Sequence, residues 1–154
     1  MVSPVIVQTK EGPKIMWSVE SNVGLSSPNK TVDVQLVQLA YRLRLKNPEA
    51  KKSEEERAAV AKILPGAICT GKADDPLVQA IVAHQKARGG TQDAHVSKFT
   101  SSGNYVDKTG PHTHMMVALN FNMMSQLVGD FPRIDKNAEC PAELKAEIAR
   151  ICAA

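Results

Sequence analysis

Aromatic side chains are scarce in this chain, which has one Trp, two Tyr and three Phe in 154 residues. Proteins that hold single-stranded nucleic acid stack bases on aromatic platforms in basic grooves. No Arg- or Lys-rich run here alternates with Phe or Tyr, and the formal charge of +3 is spread over mixed-sign stretches such as KNPEAKKSEEERAAVAK. That pattern reads as a solvated surface, so no nucleic-acid partner is expected. Long hydrophobic runs are missing too. No segment approaches the roughly 18 apolar residues that cross a bilayer, so no membrane span is expected. The start, MVSPVIVQTKEG, lacks the basic flank and apolar run of a secretory signal, which implies a chain that begins in the cytoplasm.

Cysteine is sparse and odd in number: Cys69, Cys140 and Cys152, with no Cys-x-x-Cys spacing. This argues against a disulfide framework and a zinc ribbon, and leaves buried thiols as the expectation. Enzyme signatures are equally absent. There is no Gly-x-Ser-x-Gly elbow, phosphate loop or dinucleotide fingerprint, so no cofactor is expected.

What is present describes one mainly helical domain over residues 1–154, with 43% hydrophobic and 23% charged residues. The β-branched run Val5, Ile6 and Val7, the turn residues Gly12 and Pro13, and the returning KIMWSV predict a hairpin within residues 1–20. After a Ser/Asn/Gly/Pro loop, Thr31 is the expected N-cap of a mostly buried helix, with Asp33 in its first turn. In that helix Thr31, Gln35, Gln38, Arg42 and Lys46 recur as one polar stripe beside a broad apolar face. Ser53 with Glu56 predicts a capping box for a surface helix over 53–64, with Val60, Ile63 and Leu64 as its apolar stripe. The loop that follows is expected to bury Ile68.

The most fully punctuated helix comes next. Asp75 is its cap, Pro76 its first residue, Leu77, Ala80, Ile81 and His84 its inner face, and Gly89 with Gly90 its stop. The polar segment beyond predicts two short strands, around Val96 and Tyr105, packed by Phe99. Thr113 is the expected cap of a helix with Met116, Leu119 and Met123 facing inward, ended by Gly129. A closing helix opens at Pro141 and carries Leu144, Ile148, Ile151 and Cys152 on one face.

The order SNVGLSSPNKTVDVQLVQLAYRL, PGAICTGKADDPLVQAIVAHQKARGGTQDAHV and GPHTHMMVALN resembles the peptidoglycan-binding domain family, a three-helix cell-wall module. Val37, Gln38 and Leu39 fall in its first helix; Ala80, Ile81, His84 and Gln85 match the Ala-(apolar)-x-x-Phe-Gln ending of its second. Asp93 and Val96 match its second Asp-Gly turn, and Thr113 to Leu119 its third helix, so the resemblance spans residues 21–120, with 121–154 a helical extension. His84 stands where the family has an aromatic, GAICTG replaces the first Asp-Gly, and Ala94 replaces the second turn's glycine. Since glycine accepts positive φ without penalty, looser turns are expected here.

The resemblance implies a helical bundle and a shallow groove for the peptide stem of peptidoglycan. Arg88, Gln92, Asp93, Lys98 and Tyr105 are then the expected ligand-binding residues, matching carboxylates and amides with charge-assisted and neutral hydrogen bonds. It also implies delivery to the periplasm without a signal, by a secretion apparatus. The first alternative is an adaptor that kept the fold and binds a protein partner. The second is a wall hydrolase, using either metal on His112 and His114, with His84, His95 or Asp107 as third ligand, or the Cys69 thiol.

Overall fold

The computed structural model describes residues 1–100 and 113–153. Among these, the order is β1 (Ser3–Thr9), β2 (Gly12–Ser18), β3 (Val23–Gly24), α1 (Thr31–Lys46), α2 (Glu54–Ala61), α3 (Pro76–Arg88), β4 (His95–Val96), α4 (Met115–Gln126) and α5 (Ala142–Ala153). The chain is mainly helical, and no described helix is long and apolar enough to cross a membrane. One cluster of buried apolar side chains runs from Val2 through α1, α3 and α4 to Ile148.

The hairpin forms where the sequence places it, with Ser3 opposite Ser18 and Thr9 opposite Gly12. Thr9 closes the turn: its hydroxyl donates to the Gly12 carbonyl at 2.7 Å and accepts the Glu11 N–H at 3.2 Å. Val7 and Met16 turn inward, while Ile6 and Ile15 face each other across the strands and remain exposed. β2 is anchored by Asn120 of α4, whose amide accepts the Trp17 N–H at 2.7 Å and donates to the Trp17 carbonyl at 2.8 Å. A side-chain amide thus completes a strand edge in the protein interior.

α1 is buried nearly all round, and its polar stripe is a seam between elements. Gln35 and Gln38 are each only 2% exposed. Gln35 donates to Glu143 and accepts the Leu144 N–H, holding the first turn of α5. Gln38 accepts the Gly66 N–H and donates to the Ala67 carbonyl, holding the loop after α2. Arg42 and Lys46 share Glu139, at 3.0 and 2.6 Å. Thr31 is not the cap: the helix begins at Thr31, and the preceding Lys30 offers no capping side chain. Asp33 governs the approach, because its buried carboxylate accepts the N–H groups of Glu20 and Ser21 at 2.8 and 3.1 Å.

Other expectations are corrected by tertiary partners. Ser53 accepts the Glu56 N–H as expected. The Glu56 carboxylate, however, leaves the capping box for Arg44, at 2.8 Å and fully buried. α2 stops at Ala61, so Val60 and Ile63 reach the core while Leu64 is 70% exposed. Ile68 is 89% exposed, and its neighbour Cys69 turns inward instead. The cap of α4 is His114, not Thr113, because the His114 ring nitrogen accepts the Met116 N–H. α4 runs through residue 120 without a break and buries Met116, Leu119 and Met123. In α5 Leu144 and Ile148 are buried and Ile151 packs against the core half-buried, but Cys152 is exposed. The short strand at Val96 pairs with β3, Val23 opposite Val96, and Tyr105 lies outside the described residues.

Replacing Asn120 by Leu keeps the branched shape of the side chain, with larger methyl groups, but leaves the Trp17 N–H without an acceptor. The expected loss is roughly 1–3 kcal/mol, read as a lowered urea midpoint.

Candidate functional site

α3 builds the candidate site by where and how it stops. At its start, one oxygen of Asp75 accepts the N–H of Leu77 at 2.8 Å, and the other accepts the Thr70 N–H at 2.9 Å. The cap therefore also pins the loop that carries Cys69. At its end, Gly89 adopts φ +76° and ψ −171°, a conformation nearly confined to glycine, and Gly90 follows with φ +75°. The double glycine is a backbone requirement, and it turns the chain back along the helix.

The returning loop is held by one side chain. Gln85 is 5% exposed, and its amide nitrogen donates to Asp93 Oδ1 at 3.0 Å and to the His95 carbonyl at 3.1 Å. Its amide oxygen accepts the Ala94 N–H at 2.8 Å. Ala94 has φ +63°, a left-handed conformation at a residue that is not glycine. These hydrogen bonds offset the about 1–2 kcal/mol that a Cβ costs in this region. β3 closes the arrangement. A Cβ on Gly24, whose φ is +133°, would lie 2.4 Å from the Ala94 carbonyl, so glycine permits the approach.

Between the end of α3, β4 and the start of α4 lies a cavity of about 590 Å³. Its walls include Arg88, the two glycines, Asp93, His95, Ser97 and His114. The Arg88 guanidinium donates to the Thr113 carbonyl. Asp93, His95 and Ser97 are brought together on this wall by the turn at Ala94 and the short strand after it. His95 Nδ1 lies 3.2 Å from Ser97 Oγ, and His95 Nε2 lies 3.5 Å from Asp93 Oδ2. Burial works against the Asp93 charge, but hydrogen bonds from Gln85 and the His95 N–H, with the His95 charge, hold its carboxyl below the usual range. His114 rests 5.6 Å from the Phe99 ring. Burial, aided by the charge of Arg88, keeps its pKa below the ordinary histidine value.

Of the residues expected to bind ligand, Arg88 and Asp93 are brought together on this wall. Gln92 and Lys98 are exposed and lie off it, while Tyr105, Asp107 and His112 lie outside the described residues. Gln85, His95 and Ser97 were not anticipated as builders of the site. Asp-x-His-x-Ser at a spacing of two was the available signal. For metal, His114 spends Nδ1 on its helix cap and His84 is buried against Tyr41. No group of three His, Cys, Asp or Glu among the described residues is placed to hold an ion. Cys69 sits 3.6 Å from the Asp75 carboxylate, and burial pushes its thiol up to about 11.

Compared with protein-family models, curated proteins and solved structures, the chain matches none.

Two outcomes test this geometry. Gln85→Leu should cost roughly 1–3 kcal/mol and abolish hydrogen-exchange protection of the Ala94 amide; unchanged protection would show that the turn holds itself. Iodoacetamide at pH 8 should label Cys152 of the folded protein and spare Cys69 and Cys140, both pushed to about 11 by burial. Mass spectrometry showing rapid labelling of Cys69 would point instead to an activated thiol.

Proposed function

We propose that this protein is a non-catalytic binding protein for bacterial cell-wall peptidoglycan, a divergent relative of the peptidoglycan-binding domain. The observation that carries the reading is the Gln85 staple on a left-handed Ala94 beside a polar cavity. Gln85 and the Asp93–Ala94 turn occupy the places of the family's Phe-Gln and second Asp-Gly, and here they fix the wall of a groove. Stem peptides carry carboxylates and amides. Arg88 supplies the cation for a carboxylate, and Asp93 and Ser97 supply an acceptor and a hydroxyl for amide groups. The thiol at Cys69 faces a carboxylate instead of a histidine base, which speaks for binding over hydrolysis.

An adaptor that binds a protein partner is the second reading. It draws on the exposed cross-strand pair of Ile6 and Ile15, at 59% and 45% exposure.

Co-sedimentation with isolated sacculi separates the two. Saturable pelleting is expected, weakened about tenfold or more by Arg88→Gln and more modestly by Ser97→Ala, a tenfold loss corresponding to about 1.4 kcal/mol. Absence of pelleting by the folded wild type would overturn the wall reading and favour the adaptor.

A further inference from the structure

Arg88 also borders a second cavity, of about 600 Å³, which Arg44, Asn47, His84, Phe121, Asn122 and Ser125 line with it. His84 is 2% exposed and lies edge-on to the fully buried Tyr41 ring, with ring centroids 5.5 Å apart. The Tyr41 hydroxyl meets His84 Nδ1 at 2.8 Å. Burial holds Tyr41 as a phenol and presses the His84 pKa down to about 2, so the imidazole is neutral. A phenol that donates to this partner puts the imidazole proton on Nε2, the tautomer on which the inference below is built. Among the described residues Nε2 has no hydrogen-bond partner, yet no sealed side-chain nitrogen or oxygen lacks one. Nε2 is therefore the atom through which His84 reaches the cavity it borders, a preset donor on an otherwise enclosed side chain.

We infer that this cavity is a subsite for an N-acylated amino sugar, whose amide carbonyl accepts the His84 Nε2–H. The inference rests on the peptidoglycan reading and extends it from the stem to the glycan. Of the charged groups that line the cavity, the Arg44 guanidinium is already held by Glu56 at 2.8 Å and by the Lys51 carbonyl at 2.8 Å, Lys51 and Glu49 are of opposite sign, and Arg88 is the cation assigned above to the stem carboxylate. The donor at His84 is neutral, so it can meet a neutral carbonyl without adding a further charge to the cavity. Asn47 donates to Asn122 and Ser125 through long bonds of 3.2 and 3.3 Å. Amides and hydroxyls of this kind exchange such bonds for sugar hydroxyls, which both donate and accept. Phe121 and Ala118, both half-buried, offer apolar surface to the C–H face of a sugar ring and to an acyl methyl. Because the stem hangs from the sugar in peptidoglycan, two cavities that share Arg88 can hold the two parts of one ligand side by side.

The test is NMR titration of the isotope-labelled full chain with N,N′-diacetylchitobiose, alongside cellobiose, which lacks the acetamido groups, and acetate. Chitobiose should shift the His84 Nε2–H and the amides of Phe121, Asn122 and Ser125 saturably at millimolar concentration, with nitrogen shifts that show the Nε2–H tautomer. Cellobiose and acetate should leave them in place. His84→Phe should abolish the response, and Phe121→Ala, on a half-exposed position that does not hold Tyr41, should weaken it at least threefold. No shift at His84, or an equal response to cellobiose or acetate, overturns the subsite. Pelleting with sacculi is read separately: pelleting without the chitobiose response removes the sugar subsite alone, and the response without pelleting removes the wall reading and leaves the sugar site standing.

Discussion

The organisation of this protein depends on burying α1 nearly all round. A helix in that position exposes little surface to water, so each of its buried polar side chains must find a protein partner or pay a desolvation penalty. The partners are the other elements. Asp33 takes the backbone leading in from β2, Gln35 the start of α5, Gln38 the loop after α2, and Arg42 the carboxylate that precedes α5. Tyr41 takes His84 of α3, and Arg44 takes Glu56 of α2. Among the described residues no side-chain nitrogen or oxygen that is sealed from solvent is left without a partner. Each bond contributes modestly once made, but leaving its buried partner unmet is far more costly, which gives the arrangement its specificity.

The candidate site inherits this order through α3. Tyr41 and Asp75 hold the helix from two directions, and its last buried turn presents Gln85 to the loop. A cavity wall on a loop is ordinarily adaptable. Here it is preorganised, because a buried amide saturates three groups of the turn and two glycines fix where the turn begins. Preorganisation lowers the ordering cost of binding, and with it the contact energy a ligand must supply. The same helix delivers His84 to the second cavity, so one element shapes both recesses.

Much of this was legible from local chemistry. The hairpin, the Asp75 cap with Pro76, the inner face of α3, the double-glycine stop and the buried Met116, Leu119 and Met123 follow from side-chain period, capping and allowed backbone angles, which act over a few residues. The candidate site was legible only in part. Arg88 and Asp93 stand out by charge and Gln85 by its place in a familiar pattern, but that Gln85 staples the turn is visible only once its partners eight to ten residues on are known.

By itself, then, the sequence determined the N-terminal hairpin, the succession of helices and both ends of α3, because caps, turns and hydrophobic period are short-range. Only the tertiary structure decided which polar residues of α1 are buried, that Glu56 leaves its cap for Arg44, that Val96 pairs with Val23, and that Ala94 holds a left-handed turn. Each of those outcomes is set by a partner distant in the chain or by a hydrogen bond that exists only after the elements have packed. Local propensity carries no information about which partner that will be.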